Sequence, residues 1–185
     1  MLQQTKTIFI TNFHLLVARN ILGTDVLKTL AQDSKLRIII FVPDYKENFI
    51  KNLYKGDNII IEGINQEILK RTSFISRLVF RILFSLIPTY TIKLRFQERL
   101  RRKKTIISFL IYYFSRLVTK VFSRSKSIHH LLRKCDYYFS NHKNLHHYFD
   151  KYQPSLVFST DIFSAIDPLF VQAAKAKKIR SIGMV

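Results

Sequence analysis

Three short segments in the first third of the chain are almost wholly apolar, and they restrict the fold more than any other feature. They are KTIFIT at 6–11, LRIIIFV at 36–42 and NIIIE at 58–62. Strands that are covered by helices on both faces have such continuous runs of isoleucine and valine, whereas half-exposed strands alternate with polar residues. We therefore predict three parallel strands of a buried sheet.

The segments between these strands have helical patterns. Thr24 begins TDVLKTLAQ, in which apolar residues recur at helical spacing after a candidate N-cap. The next connection, YKENFIKNLYKG at 45–56, places apolar residues on one face and ends on Gly56, a candidate C-cap. The order in this region is therefore β-α-β-α-β.

The same alternation returns near the C-terminus. The segments SLVFS at 155–159 and IRSIGMV at 179–185 are strand-like. Asp167 and Pro168 predict a helix start between them, because the carboxylate can cap free backbone N–H groups and proline fits the first turn. The sequence thus predicts an α/β fold with an open, mostly parallel Rossmann-like sheet and helices on both faces.

Residues 66–150 interrupt this alternation with a long helical stretch. We predict one Rossmann-like lobe, with its core at 5–64 and 150–185 and a long basic helical insertion between them. In two segments, 73–87 and 105–122, a narrow polar stripe runs along an otherwise apolar helix. The stripe residues are Ser73, Arg77, Arg81 and Ser85 in the first segment, and Ser108, Tyr112, Ser115 and Thr119 in the second.

Most of the positive charge lies in this insertion. The net charge is +19, and residues 66–134 contain 17 lysines and arginines against Glu67 and Glu98, which gives +15. Neither segment is predicted to span a membrane, since the longest charge-free run has 11 residues and a span needs about 20. Two interpretations remain: the helices lie in the headgroup layer of an anionic membrane, or their apolar faces pack on the protein. The residues predicted to contact the membrane are Arg77, Arg81, Arg95, Arg99, Arg101, Arg102, Lys103 and Lys104.

Several kinds of site are disfavoured by missing motifs. With four glycines, the chain has neither G-x-G-x-x-G nor a P-loop, so no cofactor is predicted. His142, His146 and His147 include two imidazoles at metal-pair spacing but no well-placed third ligand, which favours a surface or interface cluster over a metal site. Cys135 is the only cysteine, so an intrachain disulfide is excluded and a reducing compartment is favoured.

Polar residues follow two of the predicted strands. Ser159, Thr160 and Asp161 end one of them, at the edge where open α/β sheets bind ligands; capping of a local turn is the alternative role. His14 follows the first strand by three residues, so we expect it to project into the same crevice. A histidine oriented by a carboxylate is a good general base for a hydroxyl; a histidine packed beneath the loop is the alternative.

The segments ITNFHLLVARNILGTDVLKTLAQ at 10–32 and YQPSLVFSTDIFSAIDPLFVQAAKAKKIRSIGMV at 152–185 resemble parts of the N-terminal lobe of GT-B-fold glycosyltransferases. The resemblance implies a lobe that binds a lipid or glycan acceptor, while a C-terminal lobe supplies most contacts to the nucleotide-sugar donor. It implies His14 as the catalytic base and Asp161 as its partner. The acceptor contacts are assigned to Asn12, Phe13, Ser159 and Thr160.

The sequence departs from that family in two ways: its first loop lacks the Gly-His or Gly-Gly pattern, and its 185 residues include no donor lobe. The prediction is the acceptor lobe of a membrane-associated glycosyltransferase, inactive without a donor lobe in the same or a separate chain. It is expected in the cytoplasm, peripheral on the inner face of the plasma membrane. The alternative is a non-enzymatic basic α/β module that binds nucleic acid, although an insertion rich in Ile, Leu and Phe suits lipid better.

Overall fold

The computed structural model describes residues 5–14, 21–71, 73–87, 89–103, 105–161 and 164–184. The chain divides into two compact units. The first, which we call the α/β unit, comprises Met1–Lys70 and Asn141–Val185. The second, which we call the helical unit, comprises Arg71–Ser140.

Within the described residues, one sheet is formed by β1 (Lys6–Thr11), β2 (Leu36–Pro43), β3 (Ile59–Ile64), β4 (Leu156–Ser159) and β5 (Arg180–Gly183). The strand order is β3-β2-β1-β4-β5, and all pairings are parallel. The α-helices are α1 (Asp25–Ala31), α2 (Glu47–Leu53), α3 (Phe74–Ser85), α4 (Tyr90–Lys103), α5 (Ile106–Phe122), α6 (Lys126–Phe139), α7 (His146–Tyr152) and α8 (Asp167–Ala176). Short 3-10 helices lie at Asp44–Lys46, Gln66–Leu69 and His142–Leu145. The predicted open, parallel α/β sheet is confirmed.

Two apolar clusters cover the two faces of the sheet. Phe9 of β1 packs edge-to-face on Phe149 of α7, with ring centres 5.1 Å apart. Its neighbour Ile10 enters the other cluster, together with Leu27 of α1 and Ile50 of α2. Successive side chains of a strand point to opposite faces, so both residues are buried only because helices cover both sides. This explains the continuous apolar sequence of the central strands.

The helical unit is held together partly by a buried ion pair. Arg71, which precedes α3, donates to both carboxylate oxygens of Asp136 in α6, with Nη1–Oδ1 at 2.5 Å and Nη2–Oδ2 at 3.3 Å. The two side chains are only 5% and 7% exposed. The same guanidinium donates to Ser76 Oγ at 3.1 Å and lies 4.3 Å from the centre of the Phe80 ring. These contacts join the start of α3 to α6.

The Gly56 C-cap is wrong, whereas the predicted helix start at Asp167 and Pro168 is confirmed without the expected capping by the carboxylate. Helix α2 ends at Leu53 with Tyr54 at its C-cap; Gly56 lies in the turn before β3, where a Cβ would approach Ile59 Cδ1 to 3.1 Å. Asp167 is the first residue of α8, and the Ser164 hydroxyl, not the Asp167 carboxylate, accepts the Asp167 N–H at 2.9 Å. Among the described helices, none has the length and apolar character needed to cross a membrane.

Candidate functional site

The candidate site of the α/β unit lies where the strand order reverses. The chain runs from β1 outward through β2 to β3, and β4 then returns to the other side of β1. The carboxyl ends of β1 and β4 therefore flank a topological switch point, which is the usual position of ligand sites in open α/β sheets. Thr11 and Asn12 stand at the end of β1, and Ser159 and Thr160 stand at the end of β4. All four side chains are buried.

Thr160 connects these two strand ends. Its backbone N–H donates to Thr11 Oγ1 at 3.1 Å, and its hydroxyl donates to the Thr11 carbonyl at 2.7 Å. The hydroxyl and the carbonyl of Thr11 therefore both accept hydrogen bonds from Thr160, which fix the loop that leaves β4. Thr160, which the sequence assigned to acceptor contact, thus has a structural role in this geometry.

Asp167 is a buried carboxylate that the sequence did not assign to the site. Its oxygens accept hydrogen bonds from the hydroxyls of Thr11 and Ser164, so it joins β1 to the β4–α8 connection. Burial raises the pKa of the Asp167 carboxyl, the negative charge of Asp161 raises it further, and the two hydroxyl donors oppose this shift. Asp167 thus positions the strand ends of the crevice.

Replacement of Asp167 by asparagine is expected to stabilise the fold at pH 7. A carboxyl with a raised pKa in the folded state contributes stability below its unfolded pKa of about 3.9 and loses it as the pH rises through the folded pKa. Each unit of that difference corresponds to about 1.4 kcal/mol. The asparagine side chain has no charge, keeps an oxygen acceptor for one of the two hydroxyls, and can donate from its NH2 group to the other.

Urea unfolding at pH 7 and pH 3.5 measures this effect, and the advantage of Asp167→Asn should disappear at the lower pH. Asp57→Asn, a change at an exposed aspartate of the same unit, should show no such pH dependence. A variant less stable than the parent chain at pH 7 would show that the hydrogen bonds to the carboxylate outweigh its burial.

Two buried polar atoms at the switch point have unused hydrogen-bonding capacity. Among the described residues, neither Asn12 Oδ1 nor Ser159 Oγ has a hydrogen-bond partner. Leaving a buried donor or acceptor unpaired costs about 1–3 kcal/mol. Such groups in a native protein are commonly explained by a bound water, an ion or a ligand.

The remaining predicted residues of the crevice lie beside these strand ends. His14 is exposed three residues after β1, and Asp161 is half-buried directly after β4. Phe13 packs on Phe170 of α8, with ring centres 5.8 Å apart. The role of His14 as a base with Asp161 as its partner stays a prediction.

The helical unit has its small polar residues inside and its large apolar residues outside. The most buried positions on α3 and α5 include Ser76, 1% exposed, and Ser115, 4% exposed. In contrast, Phe74 and Ile106 are 71% and 80% exposed. The other large apolar residues exposed on α3 and α5 are Ile75, Leu78, Ile107, Phe109, Leu110, Tyr113, Phe114, Leu117, Val121 and Phe122.

Close approach of helix backbones explains this arrangement. The Thr119 hydroxyl of α5 donates to the Ser85 carbonyl of α3, and it also donates to the Ser115 carbonyl at 2.8 Å. Small hydroxyl residues let two helices approach this closely, as they do at helix interfaces in lipid. The exposed apolar residues of α5 therefore lie away from the helix contacts inside this unit, and both interpretations of this apolar face stay predictions.

The predicted membrane-binding cations belong to the same unit. Arg71–Ser140 contains 16 lysines and arginines, with Glu98 and Asp136 as its acids. Arg77 and Arg81 on α3 are exposed, as are Arg101 and Arg102 on α4. Arg102 donates to Glu98 at 2.5 Å. The side chains of Arg95, Arg99 and Lys103, and all of Lys104, lie outside the described residues.

The surface position predicted for the histidine cluster is only partly confirmed, since His147 is exposed and His146 is half-buried. His142 is buried and does not lie on the surface, and its ring centre is 5.6 Å from that of His146. Burial and the charge of Lys177 lower the pKa of His146. Over the described part of the chain, no group of three or more His, Cys, Asp or Glu side chains is arranged to hold a metal ion.

No family model, curated protein or solved structure matches this chain.

Proposed function

We propose that this chain is the acceptor-binding lobe of a membrane-associated glycosyltransferase, with the helical unit resting on an anionic membrane. The proposal depends mainly on one observation: in the helical unit, small polar residues are buried and large apolar residues are exposed. A large apolar surface exposed on a soluble unit favours an interaction site. The net charge of +14 on Arg71–Ser140 favours a partner with negative charge.

An anionic bilayer matches both properties of this surface. Exposed Phe, Ile and Leu side chains transfer favourably into the boundary between headgroups and acyl chains. Each cation near an anionic leaflet adds about 1 kcal/mol before screening. Nucleic acid matches the charge alone, because its phosphate backbone offers little apolar area.

The switch-point crevice supports a ligand that is rich in hydroxyl groups. A hydroxyl can donate to Asn12 Oδ1 and can pair with Ser159 Oγ in either direction, and these are the atoms with unused capacity. A sugar acceptor offers several hydroxyls at once. In this proposal, His14 accepts the proton of the reacting hydroxyl, Asp161 orients its imidazole, and a separate lobe binds the donor.

Two-dimensional NMR of the full chain with a panel of methyl glycosides tests the acceptor site. We expect the amide signals of Asn12, Ser159 and Thr160 to shift. Ser159→Ala should weaken the binding about fivefold, because one hydrogen bond contributes about 0.5–1.5 kcal/mol. The variant removes a hydroxyl that has no partner among the described residues, so its stability should be unchanged.

Ser155→Ala is the matched control at the opposite end of the same strand. The Ser155 hydroxyl donates to the Thr7 carbonyl at 3.0 Å, so its loss should lower stability by about 1 kcal/mol and leave glycoside binding unchanged. If no glycoside shifts the crevice signals, the acceptor assignment is overturned. Tight binding of UDP- or GDP-sugars would place the donor site in this lobe and overturn the proposed division between lobes.

A further inference from the structure

The helical unit contains a cavity of about 700 Å³ between α4 and α5, which we call the α4–α5 cavity. This volume is within the roughly 300–1,000 Å³ that is usual for small-molecule sites. Part of its lining is apolar or aromatic: Ile87, Tyr90, Ile92, Phe96, Tyr113 and Leu117. Such a lining fits an alkyl chain.

Three cations also line this cavity: Lys93 of α4, and Arg116 and Lys120 of α5. No acidic residue is among the lining residues that the structure describes. Over the same described ranges, none of the three cations has a carboxylate within 4.0 Å. The cavity therefore combines apolar walls with positive charge that no described carboxylate neutralises.

Tyr112 also lines the cavity and is affected by two of these cations. The guanidinium carbon of Arg116 lies 5.8 Å from the centre of the Tyr112 ring. The hydrogen bond to Gln97 lowers the pKa of Tyr112, and the charges of Arg116 and Lys93 lower it further. The same charges that favour a phenolate favour a bound anion.

Two hydroxyls of the cavity wall, those of Ser115 and Thr119, are already engaged by the protein. Ser115 Oγ donates to the Tyr112 carbonyl at 2.7 Å, and Thr119 Oγ1 donates to the carbonyls of Ser85 and Ser115. They are therefore less available to recognise a sugar. Among the described lining residues, the charged groups are Lys93, Arg116 and Lys120, which favour an anionic group.

We propose that the α4–α5 cavity binds one molecule of a long-chain phosphate monoester, with its alkyl chain among the apolar residues and its phosphate beside Lys93, Arg116 and Lys120. A phosphate monoester carries close to two negative charges at neutral pH, which matches three cations better than one carboxylate does. This site rests on the membrane role proposed above and adds a specific lipid ligand to it. It differs from that role because it holds a single lipid molecule, whereas the exposed faces contact a bilayer surface.

Calorimetry of the full chain with decyl phosphate below its critical micelle concentration tests this site without a bilayer. We expect saturable binding of one molecule per chain. Octyl phosphate should bind at least tenfold more weakly, because each buried methylene contributes roughly a fourfold change in affinity. Inorganic phosphate, and decanol as the neutral chain, should each bind at least tenfold more weakly than decyl phosphate.

Two triple variants with the same charge change separate this site from the general charge of the unit. The cavity triple is Lys93→Gln, Arg116→Gln and Lys120→Gln. The control triple is Arg124→Gln, Lys126→Gln and Lys134→Gln, all at exposed positions outside the cavity lining. Binding of decyl phosphate should fall at least tenfold in the cavity triple and less than twofold in the control triple, whereas both should bind anionic vesicles equally.

The outcomes distinguish this proposal from the membrane role. Equal binding of decyl phosphate to both triples, or equal binding of decanol and decyl phosphate, overturns the phosphate site while vesicle binding stands. If inorganic phosphate binds as tightly as decyl phosphate, the alkyl chain does not contribute to binding, and the lipid part of the proposal is overturned. Loss of vesicle binding by the unsubstituted chain overturns the membrane role itself.

Discussion

Binding of the full chain to anionic vesicles is expected to fall at least a hundredfold when four exposed residues of α5 are changed to serine. The residues are Ile106, Ile107, Leu110 and Phe114, none of which lines the α4–α5 cavity. Complete burial of one large apolar side chain contributes about 1.5–3 kcal/mol, and insertion at a headgroup layer realises part of it. Four such losses together exceed the roughly 2.8 kcal/mol that corresponds to a hundredfold change in affinity. Co-sedimentation at low salt measures the change.

A matched variant removes a comparable set of exposed apolar side chains from the α/β unit. It changes Val26, Phe49, Leu53 and Ile182, all of which are exposed, to serine. Its vesicle binding should stay within twofold of the parent chain. Rising ionic strength should release part of the bound protein and leave an apolar remainder, since salt screens only the charge contribution.

Two results would contradict the membrane role. Wild-type binding to neutral vesicles as tight as to anionic ones would remove the contribution of the cations. Tighter binding to nucleic acid than to anionic vesicles at physiological salt would favour the alternative of a basic nucleic-acid-binding module. That alternative also predicts a steep dependence of affinity on salt and no loss in the α5 variant.

The central strands of the sheet were predictable because they are buried on both faces. LRIIIFV contains seven of the eight residues of β2, and KTIFIT coincides with β1. Burial on both faces removes the alternation of polar and apolar residues, and short apolar runs separated by helical patterns leave few alternatives to parallel strands. The order β3-β2-β1-β4-β5 then places the switch point between β1 and β4.

The interior of the crevice was only partly predictable. The sequence placed Asn12, Ser159 and Thr160 at the strand ends because local position along a strand is enough for that inference. It assigned Asp167 to a helix cap, since Asp-Pro is a common helix start. The contact of Asp167 with Thr11 joins residues 156 positions apart, and no local pattern contains that information.

The sequence did not decide which faces of α3 and α5 pack inside the helical unit, for a different reason. A polar stripe on an apolar helix shows that the two faces of the helix differ, but it does not indicate which face packs inward. In α5 the serines face inward because their small size lets α3 approach, as the hydrogen bond from Thr119 to the Ser85 carbonyl requires. In α3 the predicted stripe is only partly buried: Ser85 is buried, whereas Arg77 and Arg81 are exposed.

Replacement of Asp136 by alanine is expected to destabilise the helical unit by about 3–5 kcal/mol. The change leaves the Arg71 guanidinium without its carboxylate at a site where both side chains are more than nine-tenths buried, and an uncompensated buried charge has a cost of this size. Among the described residues, Arg71 Nε already lacks a hydrogen-bond partner. Loss of the Asp136 carboxylate would therefore leave further donors of the same guanidinium unpaired. Urea unfolding followed by circular dichroism at 222 nm, a standard helix signal, measures the loss.

The double variant Arg71→Met with Asp136→Leu separates the loss of the pair from the burial of a lone charge. It removes both charges and retains apolar volume, so its stability should return to within about 1 kcal/mol of the parent chain. Glu98→Ala is the control for an exposed pair: Glu98 and Arg102 are 59% and 76% exposed, and their separation should cost less than about 0.5 kcal/mol. If Asp136→Ala costs no more than Glu98→Ala, Arg71 finds water or another acceptor, and the pair does not fix α3 against α6. If the double variant is as unstable as Asp136→Ala, the hydrogen bond from Arg71 to Ser76 and its contact with Phe80, rather than the ion pair, hold the start of α3.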